Sequence, residues 1–103
     1  METRTILDTN IAFEEHEGTI TIFTIIEYPP ASKKNFEVVF PETMDYTVAL
    51  KIADALRKRG KPLGAIDILI AAMCINRNSM LITKDKDFLS IKETVPGFKL
   101  NII

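Results

Sequence analysis

Four acidic side chains stand where an α/β protein usually places its chemistry. Asp8 ends a short apolar run, Glu27 follows a run of Thr, Ile and Phe, and Asp85 follows a later apolar run. Asp67 lies in the first turn of a long apolar helix. Because ligands bind beyond the carboxyl ends of parallel strands, we expect these carboxylates to converge at one edge of a sheet.

Clustered carboxylates repel one another, and each charge raises the pKa of its neighbours. A hard divalent cation relieves that repulsion, and Mg²⁺ and Mn²⁺ take oxygen ligands in octahedral geometry. Such a cation activates a water and neutralises charge on a phosphoryl oxygen. Hydrolysis of a phosphodiester is therefore the reaction that this constellation predicts.

The elements that must position these acids alternate between strands and helices. The predicted strands cover residues 5–8, 19–24, 36–40, 80–83 and 98–102. The predicted helices cover residues 11–17 after an Asn10 cap, the stretch from a Thr43 cap to Gly60, residues 65–77, and single turns at 24–27 and 88–91. This alternation implies an α/β protein with a parallel sheet covered on both faces, in one domain over residues 1–103.

The composition excludes several classes of function. Thirteen basic against fourteen acidic residues, a net charge of −1, argue against a strongly basic nucleic-acid coat or a polybasic membrane anchor. With one cysteine and one histidine there is no internal disulfide and no Cys-rich zinc site, so any metal needs oxygen ligands. No apolar run approaches the roughly 18 residues of a membrane span, and the start does not resemble a signal peptide. We expect a cytoplasmic protein.

Four segments, in this order, resemble the PIN-domain family of metal-dependent ribonucleases and its toxin-like branch. They are residues 6–10 (ILDTN), 24–27 (TIIE), 66–72 (IDILIAA) and 81–88 (LITKDKDF). The resemblance implies a three-layer α/β/α fold with a parallel sheet of about five strands in the order 3-2-1-4-5. It also implies an RNA substrate and a possible antitoxin partner.

Residue roles follow from the same resemblance. It implies that Mg²⁺ or Mn²⁺ is ligated by the four acids, Asp8, Glu27, Asp67 and Asp85, with Asp87 as an auxiliary acid. Residues that orient these carboxylates would be Thr9, Asn10 and Thr83.

The sequence departs from the family between its first two acids. Only about one short helix fits between Asp8 and Glu27, and Pro29-Pro30 cuts short the helix that carries Glu27. These differences fall where toxin-branch members form dimers and receive their antitoxin. We also predict a homodimer, because a core this small beside so apolar a helix leaves an exposed patch.

Each acid also has a purely structural interpretation. Asp8 could cap the following helix, and Glu27 could complete a capping box with Thr24. The helix N-terminus offers Asp67 some relief through its free N–H groups. The two acids after the last apolar run, Asp85 and Asp87, could form a solvated charge run with their lysines.

Three basic side chains are candidates for holding an RNA backbone, namely Arg57, Arg59 and Lys84. The alternative is that residues 57–61 form an exposed helix end whose charges suit the helix dipole. We interpret His16 as a solvated surface residue and Cys74 as a small hydrophobe.

The leading hypothesis is a Mg²⁺- or Mn²⁺-dependent ribonuclease that cleaves single-stranded RNA. The alternative is a catalytically degenerate PIN-like module that binds RNA or a protein without cleaving. A phosphoacceptor receiver-like domain is disfavoured, because no acid adjoins Asp8 and Pro41-Glu42 follows the third strand where an acceptor Asp is needed.

Overall fold

Two parallel sheets carry the fold in the computed structural model, which describes residues 4–103. The first contains β1 (Arg4–Leu7), β4 (Ser79–Thr83) and β5 (Lys99–Ile102), in the order β1-β4-β5. The second pairs β2 (Glu17–Thr21) with β3 (Asn35–Val39). Every pairing within the two sheets is parallel. The predicted α/β class and the number of strands are confirmed.

Five α-helices and two short 3₁₀ turns connect the strands of the described part. They are α1 (Thr9–Ala12), α2 (Ile22–Glu27), α3 (Thr43–Lys58), α4 (Ala65–Asn76) and α5 (Leu89–Thr94), with 3₁₀ turns at Pro29–Lys33 and Lys86–Phe88. Helix α3 packs on α4 and α5, and α4 packs on β4. Over residues 4–103, no helix has the length and apolarity to cross a lipid bilayer.

The main core forms around α4. All seven side chains of residues 68–74 are buried, as the apolar sequence of this helix predicts. Five of them, all except Leu69 and Met73, form one cluster with Ile6 of β1, Leu81 of β4, Phe88 and Phe98. Burial raises the pKa of the Cys74 thiol to about 12, so this side chain is an inert part of the core.

A second, smaller core belongs to the β2–β3 sheet. Its buried members are Ala12, Ile20 and Ala31, with Tyr28 and Phe36 packed against them. Residues 4–103 therefore contain two apolar clusters, one beneath each hydrogen-bonded sheet. Helix α1, which contributes Ala12, joins the smaller cluster although it directly follows a strand of the larger sheet.

The two sheets meet at β1 and β2, which are neighbours in space. Among residues 4–103 no backbone ladder joins these two strands, so the expected order 3-2-1-4-5 is present as neighbouring strands but not as one continuous sheet. Gly18 lies at this junction with φ 132°, and a Cβ there would lie 3.0 Å from Leu7 Cδ1. The Leu7 side chain thus occupies the space beside Gly18, and a cavity of about 430 Å³ opens further along the junction.

Several predicted boundaries were wrong at the first half of the chain. The helix expected over residues 11–17 is the four-residue α1, and Asp8 rather than Asn10 is its cap. The second strand ends at Thr21 instead of Thr24, because α2 begins at Ile22. Thr24 therefore lies inside α2 and does not cap it, which removes the capping-box interpretation of Glu27.

A buried ion pair fixes α3 against α4. The cap of α3 is Glu42, not Thr43, and it forms a capping box with Asp45. The Asp45 side chain is 1% exposed and accepts hydrogen bonds from Arg77 Nη1 at 2.9 Å and from Asn76 Nδ2 at 2.9 Å. Arg77 also donates to the Phe40 carbonyl at 3.1 Å, so it ties the end of α4 to the chain entering α3.

Candidate functional site

Asp8 is held in place by groups from two elements. It follows β1, and its Oδ1 accepts a 2.9 Å hydrogen bond from the Thr9 backbone N–H as it caps α1. The Thr83 hydroxyl, at the end of neighbouring β4, donates to Asp8 Oδ2 at 2.7 Å. Asn10 Nδ2 lies 3.3 Å from Thr83 Oγ1 and 3.5 Å from Asp8 Oδ2. These partners leave the Asp8 carboxylate fixed at the carboxyl end of the larger sheet.

The loop after β4 brings a second carboxylate to the same edge. The Asp85 N–H donates to Thr83 Oγ1 at 3.0 Å, so one hydroxyl contacts both Asp8 and the backbone of Asp85. The Asp85 side chain in turn accepts from the Asp87 N–H at 2.9 Å and caps the following 3₁₀ turn. Asp87 itself is exposed.

The pKa of Asp67 responds to the charges of the other four candidate acids. The pKa of this carboxyl is raised, first by burial and then by the charges of Asp85, Asp8, Glu27 and Asp87, in that order. Each of these four charges therefore lies near enough to Asp67 to act on its carboxyl. The hydrogen bonds of the Thr83 hydroxyl bring Asp8 and the backbone of Asp85 together directly, and a common site for all five acids stays a prediction.

Glu27 is the most loosely placed of these acids. It is the last residue of α2 and is exposed. Its helix is joined to α1 by a buried contact between the hydroxyls of Thr24 and Thr9, whose oxygens are 3.0 Å apart. The sequence interpretation missed this tertiary contact of Thr24, because the three-residue spacing of Thr24 from Glu27 suggested a cap.

The five carboxylates are chemically suited to bind a hard cation, but their side chains do not converge on one position. All five candidates are carboxylates, which are the ligands that Mg²⁺ and Mn²⁺ prefer. Within residues 4–103, however, no three Asp, Glu, His or Cys side chains converge closely enough to hold one ion. Binding would need rotation of the acids, and the exposed Glu27 and Asp87 side chains have the freedom to do so.

The three basic residues predicted to bind RNA differ in the contacts that their side chains make within the protein. Lys84 Nζ lies 3.2 Å from Glu14 Oε1, directly beside the acidic edge. Arg59 donates to Thr94 Oγ1 at 2.8 Å and lies 3.3 Å from Glu93, so its guanidinium links α3 to α5. Arg57 lines an open cavity of about 320 Å³ beside α3.

Among the solved structures that share this fold are two whose descriptions name VapBC bound to DNA. The chain is similar to DNA-bound VapBC from Salmonella typhimurium, with 20% identity, a TM-score of 0.73 and 98% of each chain covered. It is also similar to VapBC2 from Rickettsia felis bound to a DNA fragment from their promoter, with 18% identity, a TM-score of 0.75, and 97% of this chain and 98% of that chain covered. At these identities the likeness concerns the fold.

Sequence comparison addresses the family directly. No curated protein matches the sequence. The family described as PIN domain matches residues 31–93, which include Asp67, Asp85 and Asp87. The resemblance inferred from the four motifs is thereby confirmed, and the chain belongs to the PIN-domain family.

Proposed function

We propose that this chain is a metal-dependent endoribonuclease that hydrolyses phosphodiester bonds of single-stranded RNA. The observation that carries the proposal is the placement of Asp8 and Asp85 at one sheet edge, where the Thr83 hydroxyl donates to the Asp8 carboxylate and accepts from the Asp85 N–H. Asp67 lies near them, and burial together with the charges of the neighbouring acids raises its pKa. Acids gathered in this way without basic partners of equal number are costly to the fold, and a divalent cation offsets that cost. Membership of the PIN-domain family supports the same assignment.

We assign two roles to the residues at this edge, namely to bind the metal and to orient its ligands. Asp8, Asp67, Asp85 and Glu27 would hold Mg²⁺ or Mn²⁺, with Asp87 beside them. Thr83, Asn10 and the Thr9 N–H keep the Asp8 carboxylate oriented. When bound, the cation lowers the pKa of a water and neutralises charge on the phosphoryl group.

RNA has to approach an edge of negative charge, so cations beside it are needed. Lys84 is best placed for this role, because it adjoins Asp85 and its partner Glu14 is exposed. We assign Arg57 and Arg59 as more distant contacts to the phosphate backbone. Such contacts position the nucleic acid without reading its sequence.

Cleavage of a labelled single-stranded RNA tests the proposal. We expect cleavage with Mn²⁺, none after EDTA, and recovery when Mn²⁺ is restored. Asp8→Asn should reduce cleavage to background. The control Asp54→Asn removes an exposed carboxylate on α3 that pairs only with Lys58, so it should cleave normally. Cleavage that needs no metal and survives Asp8→Asn would contradict the mechanism.

We further propose that the chain is a cytoplasmic toxin with an antitoxin partner. Both similar structures are described as VapBC complexes, which supports a partner protein. Expression of the chain alone should arrest growth, whereas the Asp8→Asn variant should not. Equal growth arrest by the two chains would separate any toxicity from the nuclease site.

A homodimer is the assembly that the surface supports. Tyr46 and Leu50 on α3 are 57% and 72% exposed, one turn apart. Leu50 also borders cavities lined by Ala53 and Ile68. A projecting apolar side chain beside an apolar recess on one surface is what a two-fold interface requires.

A second candidate function is a module that binds without cleaving. It is favoured by the exposed position of Glu27 and by the absence of three converging ligands among the described residues. Thermal unfolding with Mn²⁺ separates the candidates, because an ion that binds only the folded chain raises its melting temperature. An unchanged melting temperature at saturating Mn²⁺ would favour the binding module.

A further inference from the structure

The ammonium group of Lys34 binds the exit of α1 with all of its donors. Lys34 Nζ donates to the backbone carbonyls of Ala12 at 3.0 Å, Phe13 at 3.1 Å and Glu15 at 2.9 Å. An ammonium has three N–H groups, so its hydrogen-bonding capacity is filled by these carbonyls. The same nitrogen lies 5.5 Å from the centre of the Tyr28 ring, within the range of a cation–π contact.

Helix α1 needs such support because it is only four residues long. A single turn is unfavourable on its own, since nucleation fixes several residues for one hydrogen bond. The carbonyls at its C-terminal end have no partners within the helix. A cation at that end satisfies them and interacts favourably with the helix dipole. Lys34 supplies this cation from a position 22 residues along the chain from Ala12.

Three contacts join the segment carrying Asp8 to the segment carrying Glu27. The hydroxyls of Thr9 and Thr24 form the first, at 3.0 Å. The rings of Phe13 and Tyr28 form the second, with centroids 4.6 Å apart and an edge-on arrangement. Lys34 forms the third and engages three acceptors at once. It follows the 3₁₀ turn Pro29–Lys33, which itself follows the helix of Glu27.

We propose that Lys34 is a positioning residue for the acidic site, where it sets the placement of the Asp8 turn relative to Glu27. This inference rests on the proposed function, because it assigns a purpose to the geometry of those two acids. Only the four-residue α1 and β2 lie between Asp8 and the helix of Glu27, and Lys34 supplies a restraint across this short connection. Lys34 acts through the carbonyls of residues 12, 13 and 15 at the end of α1 and through the Tyr28 ring after α2.

The test compares Lys34→Met with the wild-type chain in two measurements. Without metal, hydrogen exchange of the Ile11, Ala12 and Phe13 amides reports the order of α1, because all three bond to carbonyls at its start. With metal, calorimetric titration with Mn²⁺ reports the site. We expect faster exchange at these amides and about tenfold weaker Mn²⁺ binding, the size of effect that supporting residues have on metal sites.

Lys92→Met is the matched control. Lys92 Nζ also binds two carbonyls, those of Pro96 and Phe98, each at 2.7 Å, in a segment without any of the five acids. We expect Lys92→Met to lower the melting temperature about as much as Lys34→Met does. It should leave the Mn²⁺ affinity and the hydrogen exchange of the α1 amides unchanged. If Lys34→Met does not fold, Lys34→Gln keeps part of the donor set and should show the same effects at smaller size.

The outcomes separate the two proposals. Wild-type Mn²⁺ affinity in a folded Lys34→Met chain, or an equal loss in Lys92→Met, would overturn the positioning role. If the wild-type chain itself binds no Mn²⁺, the proposed nuclease fails. In that case unchanged exchange of the α1 amides in Lys34→Met would overturn the present inference as well, and faster exchange would support the part that concerns α1.

Discussion

A single hydroxyl sits between the two acids that end β1 and β4. Thr83 donates to Asp8 at 2.7 Å and accepts from the N–H of Asp85 at 3.0 Å and from Asn10. It is fully buried, so these are its only means of satisfying its polar atom. Its value to the site lies in coupling the orientation of one acid to the backbone of the other.

Thr83→Val keeps the shape of the side chain but removes this coupling. We expect RNA cleavage to fall by about 10- to 100-fold, as for other residues that orient metal ligands. Thr83→Ser retains the hydroxyl and should keep most of the activity. Single-turnover cleavage at saturating Mn²⁺ measures both variants, and a Thr83→Val chain that cleaves at the wild-type rate would refute the role.

Asp67 should reveal a conflict between the site and the stability of the fold. Its raised pKa means that the ionised carboxylate destabilises the folded chain at pH values above the pKa of the unfolded chain. Asp67→Asn removes the charge, so without metal at pH 7 it should unfold at higher urea concentration than wild type. The gain should vanish below about pH 4, where the unfolded carboxyl is also protonated. A destabilised variant at pH 7 would contradict the crowding of acids.

Asp45 has the opposite dependence on pH. Burial alone would raise its pKa, but hydrogen bonds from Arg77, the Glu42 N–H and Asn76 outweigh burial and lower it. Its stabilisation is therefore present above the unfolded pKa and is lost as pH falls through the lowered value, below about 4. Asp45→Asn should cost about 3 kcal/mol at pH 7, because it breaks a buried pair.

Urea unfolding across pH measures this difference, which should shrink in acid. The control is Asp54→Asn, whose pairing with Lys58 is exposed. That change should stay within about 0.5 kcal/mol. If the free energy of unfolding of the wild type and of Asp45→Asn varied in parallel with pH, the Asp45–Arg77 pair would not be the cause of the pH dependence.

At the scale of elements, the junction between β1 and β2 depends on Gly18. Its φ of 132° is rarely adopted by other residues, and a Cβ would lie 3.0 Å from Leu7 Cδ1. Gly18→Ala should therefore destabilise the chain by about 1–3 kcal/mol. Gly97→Ala is the control, because nothing lies within 4 Å of a Cβ there, and it should change stability by less than about 1 kcal/mol. Equal urea midpoints for the two variants would refute this account of the junction.

The elements also show what the sequence could and could not predict. Helix α4 was predictable because residues 68–74 are apolar in succession, and only burial on several sides explains such a run. The end of helix α1 was not, since the carbonyls there accept hydrogen bonds from Lys34, which lies 19 to 22 residues further along the chain. The sequence pattern around α1 does not indicate a hydrogen-bond partner that lies so far along the chain.

The same limit applies to the site. The positions of the four principal acids beside strands and helices could be predicted, because each follows or opens a recognisable element, whereas their role as metal ligands stays a prediction. The cap at Asp8, one of the structural interpretations of that residue, is confirmed. The Thr9–Thr24 contact could not be predicted, because it depends on how α1 and α2 meet. Asp45 was overlooked for a similar reason, since its partner Arg77 lies 32 residues away.

At the scale of the whole molecule, the exposed face of α3 predicts self-association. We expect light scattering to give the mass of a dimer and Leu50→Glu to give that of a monomer, because a charge at this apolar position opposes burial. Leu89→Glu alters another exposed leucine, on α5, which lines neither cavity beside α3. It should remain dimeric. A wild-type chain with the mass of a monomer would contradict the expectation.

The described residues form two hydrogen-bonded sheets, and each sheet has its own apolar cluster. The acids of the candidate site are therefore supported by two packed units of different size. Asp8, Asp67 and Asp85 follow or open elements of the larger unit, whereas Glu27 ends α2, which packs on the larger cluster through Phe23 and on the smaller one through Ile25. Mild heating that loosens the smaller unit first would withdraw one carboxylate while the other three stay in place. Catalysis would then switch off reversibly at temperatures where most of the molecule is still folded.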